Sequence, residues 1–142
     1  MGNPDLDRLA AARHVALTSY RADGSGVSTC VWISREGEAI YVLTHSGSGK
    51  VKRIRKNPKI EVGPSDGRGR LQGGLSTATA EVSDDPDVVR RVSALIRRRY
   101  GFRYPFLRSM MMARGRATGK PVAIRITNPA PVESYPTRGS RS

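Results

Sequence analysis

The chain has 142 residues, is 37% hydrophobic and 6% aromatic, and carries a formal net charge of +13. That length fits one domain with a modest core, which self-association would help complete. The single cysteine excludes an internal disulfide and fits a reducing, cytoplasmic compartment.

The first residues, MGNPDLDRLAAARHVAL, lack the basic start and apolar core of a secretory signal. No apolar run approaches the roughly 20 residues that span a membrane. Asp5 to Arg13 reads as a short helix with Leu6, Leu9 and Ala10 on one face. His14 to Tyr20 reads as a strand, and Asp23 to Gly26 as a turn. Val27, Thr29, Val31 and Ile33 then alternate with Ser28, Cys30, Trp32 and Ser34, which is strand period. Glu36-Gly37 turns again, and Ala39 to Thr44 completes an antiparallel meander.

A short basic helix follows over about Lys50 to Lys56 and stops at Asn57, because the residue before a proline avoids helical geometry. Lys59 to Gly63 is a fourth strand and Leu71 to Ser83 a long fifth, whose Gly73-Gly74 marks a bulge or a close backbone approach. Asp85 as N-cap, Pro86 at the first position and Gly101 at the end delimit the longer helix, with Val88, Val92, Leu95 and Ile96 as its apolar stripe. Tyr104 to Met112 adds a helical turn or two, and Lys120 to Thr127 is a sixth strand. Residues 1–127 thus form the domain, and 128–142, rich in Pro, Gly and Ser, read as a flexible tail. Six strands, a short helix after the third and a longer one between the fifth and sixth predict a mainly β fold. That fold is a small antiparallel barrel with peripheral helices.

The charge is uneven. From Val88 through Val132 there is no acidic residue, while ten arginines and Lys120 fall there. Such an excess points to an acidic partner (nucleic acid, an anionic membrane surface or a polyanionic small molecule) or to a solvated basic face. The stretch Tyr41 to Pro58, YVLTHSGSGKVKRIRKNP, is the most specific site candidate. A small-residue turn opening a helix, with a lysine in its first turn, suits a phosphate. It is not a nucleotide P-loop: Thr44 stands where the first Gly belongs, and Val51 where the magnesium-binding Ser or Thr belongs. Lys52 and Lys56 suit a solvated face, whereas Arg53 and Arg55 suit a specific anion through bidentate contacts.

Hydrolytic catalysis has no support: there is no Ser/His/Asp set, and Cys30 sits in mid-strand as a small packed residue. Neither His14 nor His45 has a partner at metal-ligand spacing. His45 touches a ligand or stays an exposed loop histidine; Tyr100 and Tyr104 line a pocket or anchor the helix end. If the chain is an enzyme, a cofactor carries the chemistry. Few aromatics interleave with the basic runs, which speaks against a nucleic-acid-binding module.

The block GVSTCVWISREGEAIYVLTHSGSGKVKRIRKNPKIEV, with Pro64 to Gly69 and Arg99-Tyr100-Gly101 further on, resembles the pyridoxamine 5′-phosphate oxidase-like family of flavin-binding split β-barrels. It is most similar to the actinobacterial branch of deazaflavin (coenzyme F420)-dependent oxidoreductases. The resemblance covers roughly Leu9 to Thr127 and implies a homodimer with the cofactor at the subunit interface. By similarity, Ser28, Thr29, Cys30, Val31, Leu43 and Thr44 face the cofactor, while Ser48, Gly49 and Lys50 hold its phosphate. Arg55 is implied as a further phosphate or tail contact, and Gln72 as a ring contact. No catalytic residue and no metal ligand are implied.

Two positions depart from the pattern. Cys30 replaces a common proline, and Gly49 replaces the arginine that precedes the lysine in flavin mononucleotide (FMN) relatives. The second change favours F420, whose phosphodiester and oligoglutamate tail suit a basic helix. The implied activity is hydride transfer from reduced deazaflavin (F420H2) to an unsaturated or conjugated acceptor. An FMN enzyme or a cofactor carrier of the same fold is the alternative.

Overall fold

The computed structural model describes residues 3–101 and 120–132. Its elements in chain order are α1 (Pro4–Ala11), β1 (His14–Tyr20), β2 (Gly26–Val31), β3 (Ile33–Glu36), β4 (Ala39–His45), α2 (Gly49–Lys56), β5 (Lys59–Ser65), β6 (Ser76–Ser83), α3 (Pro86–Tyr100) and β7 (Pro121–Pro131). The strands form one 7-stranded antiparallel sheet in the order β2-β1-β5-β6-β7-β4-β3, curled into a half-barrel.

The two edge strands, β2 and β3, are consecutive in the chain and separated by Trp32 alone. The expected single strand Val27 to Ser34 therefore divides there. Before Trp32 the strand pairs with β1, Val31 opposite Val15; after it the chain pairs with β4, Ile33 opposite Val42. The side-chain alternation runs through the break without a fault: Val31 and Ile33 are both buried inside. The break is held by α3. Trp32 stacks on Tyr100 at 4.2 Å, and the Tyr100 hydroxyl accepts from Ile33 N at 3.2 Å. Arg99 donates to Ile33 O at 2.9 Å and to Ala12 O at 2.8 Å. Tyr100 is thus an anchor of the helix end.

Other boundaries move for local reasons. α1 begins at Pro4 because the Asn3 side chain accepts from Asp5 N and Leu6 N, and Pro4 supplies the first helical position. β6 starts at Ser76 rather than Leu71. Residues 71–75 are a loop joined to β5 by a single bridge, Ser65 to Leu71. Gly63 and Gly74 do approach closely: a β-carbon on Gly63 would stand 3.2 Å from Gly74 O. The bulge sits instead between Thr77 and Thr79, opposite β7. β7 runs to Pro131, four residues past the expected end, because its Ala130 and Pro131 continue the ladder to Thr77 and Ser76. The helical turns expected over Tyr104 to Met112 lie outside the described residues.

Two cores result. Inside the barrel, Leu6 and Leu9 of α1 and Val51 and Ile54 of α2 plug the space lined by Val15, Leu17, Val42, Ile60, Val62, Ile124 and Ile126. Each such side chain contributes about 1.5–3 kcal/mol on burial. Outside, Val92, Ile96 and Tyr100 of α3 cover Tyr41 and Ala123, with Trp32 and Leu43 at the margin.

Candidate functional site

The turn after β4 is fixed to the start of β7: Ser46 N donates to Lys120 O at 2.8 Å, and Ser46 Oγ accepts from Lys120 N at 3.1 Å. Ser48 caps α2, its Oγ accepting from Val51 N at 3.4 Å. Val51 and Ile54 face the core, so the direction of the remaining side chains is set by the helical turn.

Lys50 and Arg53 fall one turn apart. Lys50 is half-buried and has no carboxylate within 4.0 Å among the described residues. Burial, and then the Arg53 charge, hold its pKa below the ordinary lysine value. The Arg53 Nε donates to Ser19 Oγ at 2.7 Å, and Ser19 is fully buried on β1. Burial and Arg21 likewise hold Arg53 below its usual value. Arg55 is exposed and stands roughly 140° around the helix from Lys50. The helix therefore brings together Ser48, Gly49, Lys50 and Arg53, and sets Arg55 apart.

The strand candidates flank the split in the sheet. The β3–β4 register, extended past Ile33 and Val42, would set Val31 opposite Thr44; β2 instead turns to β1 there. This leaves the far edge of β2 and the neighbouring edge of β4 beyond Val42 without a ladder partner among the described residues. Ser28 and Cys30 are exposed on the outer face; Val31 and Thr44 are buried, and Leu43 packs beside Trp32 under α3. The Thr29 hydroxyl is buried and has no hydrogen-bond partner among the described residues, which is costly unless a ligand or water supplies one.

Cys30 lies against the 66–70 loop, with Sγ 3.7 Å from Asp66 O; burial of the sulfur raises its pKa, so it is a thiol at neutral pH. Gln72 sits on the adjoining loop, with its N donating to Pro64 O at 2.8 Å and its amide 3.5 Å from Arg70 O. Its partner Pro64 pairs with Val15, at the opposite end of β1 from Ser19.

An orphaned hydroxyl in the strand group and uncompensated cations in the turn group fit a ligand with a polar ring and an anionic end. The residue pattern set Arg53 and Arg55 equal, the resemblance singled out Arg55 alone, and neither pointed to Ser19. The signal was present: Lys50 and Arg53 are three apart, and no acidic residue falls between Tyr41 and Pro58 to neutralise either.

A family model described as pyridoxamine 5′-phosphate oxidase matches residues 6–128. No curated protein matches the chain significantly in sequence. Among solved structures, the conserved hypothetical protein Rv2991 from Mycobacterium tuberculosis is similar at 22% identity and TM-score 0.60, over 89% of this chain and 84% of that one. An F420 reductase is similar at 15% identity and TM-score 0.54, over 92% and 96% of the two chains. HutZ, the heme storage protein from Vibrio cholerae, is similar at 13% identity and TM-score 0.60, over 94% and 92%. At such identities these likenesses show the shared fold.

Proposed function

The chain belongs to the pyridoxamine 5′-phosphate oxidase family, and within it we propose a deazaflavin (F420H2)-dependent oxidoreductase. The observation that carries this reading is the half-buried, carboxylate-free pair Lys50 and Arg53 at the start of α2. A cation that is partly desolvated beside another cation, with no internal counter-ion, is poised for an external anion. Ser48, Gly49 and Lys50 hold the phosphate. The split between β2 and β4 takes the ring, with Thr29 offering its free hydroxyl. The tail runs over the basic surface of α2, where Arg55 is exposed. A second copy of the chain completes each site as a homodimer.

When bound, reduced deazaflavin supplies a hydride to an unsaturated or conjugated small-molecule acceptor. The chain's own part is to bind, orient and shield. Lys50 neutralises phosphate charge, and buried Val31 and Thr44, one apolar and one hydroxyl-bearing, line the closed end of the split. Cys30 is exposed on the outer face rather than packed, and its raised pKa keeps it a thiol, which makes it a poor nucleophile.

The alternatives are an FMN enzyme and a carrier without turnover; the family description and the heme storage neighbour keep both in view. Titration of the purified chain with F420 and with FMN, followed by absorbance, separates them. Binding of F420 and hydride transfer to members of an acceptor panel are expected. Binding of FMN alone overturns the cofactor choice, and F420 binding without transfer to any acceptor favours a carrier. Steeply salt-dependent binding to generic DNA, with no cofactor binding, would mark a nucleic-acid module instead.

A further inference from the structure

A cavity of about 360 Å³ lies outside the barrel, between α3 and the sheet, and none of its lining residues belongs to β2, α2 or the turn between β4 and α2. The ladder register explains it. Tyr41, Arg125 and Glu81 form one row across β4, β7 and β6, and Leu43, Ala123 and Ser83 form the next. Ala123 and Ser83 are small, which leaves room between the sheet and the first turns of α3. Val88 and Arg91, one helical turn apart, form the roof. The floor is the Ala123 methyl and the Tyr41 ring, both buried, with the Arg91 guanidinium 6.0 Å from the ring centroid.

The rim carries both signs of charge. Arg91 Nε donates to Glu36 Oε1 at 2.8 Å. Arg125 stands directly opposite Glu81, yet the two charged groups are 3.8 Å apart, too far for a hydrogen bond. Both side chains are exposed, and such a pair adds little to stability, so it opens readily to a ligand that answers both charges. Ser83 Oγ accepts from Asp85 N at 3.3 Å and keeps its own proton to donate.

We propose that this cavity binds a small zwitterion with an apolar body, a free α-amino acid with an aliphatic or aromatic side chain. Its carboxylate sits between Arg125 and Arg91 with Ser83 donating, its ammonium faces Glu81, and its side chain lies on Val88, Ala123 and the Tyr41 ring. An anion of the same shape would leave Glu81 repelling it, and an amine without the carboxylate would meet two guanidinium groups. The volume falls at the lower end of small-ligand clefts. The site stands whether or not the chain uses a deazaflavin.

Isothermal titration calorimetry of the full chain with L-phenylalanine, L-leucine, 3-phenylpropionate and 2-phenylethylamine tests this. The two amino acids are expected to bind with Kd below about 1 mM, and the two probes that lack one charged end about tenfold or more weakly. R125Q and E81Q should each weaken L-phenylalanine about tenfold or more, and V88F, which fills the cavity from its roof, should abolish binding. R90Q, whose partner is Asp87 outside the cavity, should bind as the wild type does.

Thermal melts show that each variant is folded; should V88F fail to fold, the exposed R125Q and E81Q carry the test. If neither amino acid binds the wild type by about 10 mM, the proposal falls. It also falls if folded R125Q and E81Q match the wild type within about twofold, which places binding elsewhere. If 3-phenylpropionate binds as tightly as L-phenylalanine, the cavity is an anion site and the zwitterion class is excluded.

Discussion

The arginines around α3 and the cations of α2 make opposite use of the same charge. Around α3 they are spent internally. Arg99 is bound to two backbone carbonyls, Arg91 pairs with Glu36 at 2.8 Å, and Arg125 faces Glu81 at 3.8 Å. Arg13 and Arg99 also lie over the Tyr100 ring. At α2, the Arg53 charge bears on Lys50 and the Arg21 charge on Arg53, with no carboxylate paired to Lys50 or Arg53 among the described residues. The acid-free run from Val88 to Val132 looked like the stronger sign of an acidic partner, yet several of its arginines serve the fold. Net charge therefore locates no ligand until each cation's counter-ion has been traced.

The contrast breaks most sharply at Tyr100. Its removal as Tyr100→Ala takes away the Trp32 stack and the clamp on Ile33. A loss of about 3–5 kcal/mol in urea denaturation is expected. If stability held while cofactor affinity fell, the two regions would not divide as described.

Lys50→Ala comes next in size and has the reverse signature. Cofactor affinity should fall by about 1.5–3 kcal/mol in a titration, the range for a bond to a charged group. The apo protein should keep its stability or gain a few tenths of a kcal/mol, since a like-charged pair one turn apart is relieved. A clear loss of stability would mean that Lys50 belongs to the fold.

The pH dependence sharpens the same point. Lys50 has a folded pKa below its unfolded value, so apo stability rises as pH climbs from the folded toward the unfolded pKa. Anion affinity runs the other way and is lost as Lys50 deprotonates. Titrations from neutral pH upward should show this fall beginning below the ordinary lysine value of 10.5; a fall that starts only above it would remove the burial argument. The smallest effect is expected for Arg91→Ala, which removes an exposed pair with Glu36 and should leave urea denaturation nearly unchanged, with cofactor affinity unchanged.

Much of the fold could be read from the sequence wherever a local signal decided the outcome. Asp85, Pro86 and Gly101 delimit α3 as expected, Gly101 with φ 61°. Asn57-Pro58 ends α2. The break at Trp32 was hidden because alternation does not register a change of partner: the residues on both sides face the same interior. The loop 71–75 was read as strand because its ladder partner, not its composition, determines where pairing begins. In the candidate site, the capped turn into α2 was legible as small residues before a lysine. The course of Arg53 was not, since it depends on Ser19, far away in the chain and brought near by β1.

The position of β7 bears on how this chain comes to be folded at all. It lies between β6 and β4, with Val42 opposite Ile124 and Ala80 opposite Ile126. Until it arrives, the sheet is two pieces, β2-β1-β5-β6 and β4-β3, tethered through Trp32. A nascent chain on the ribosome thus exposes unfinished strand edges until Pro131 has cleared the exit tunnel. Closing contacts so distant in sequence is slow. The last strand described is the keystone of the sheet, and before it sets both pieces present unpaired edges.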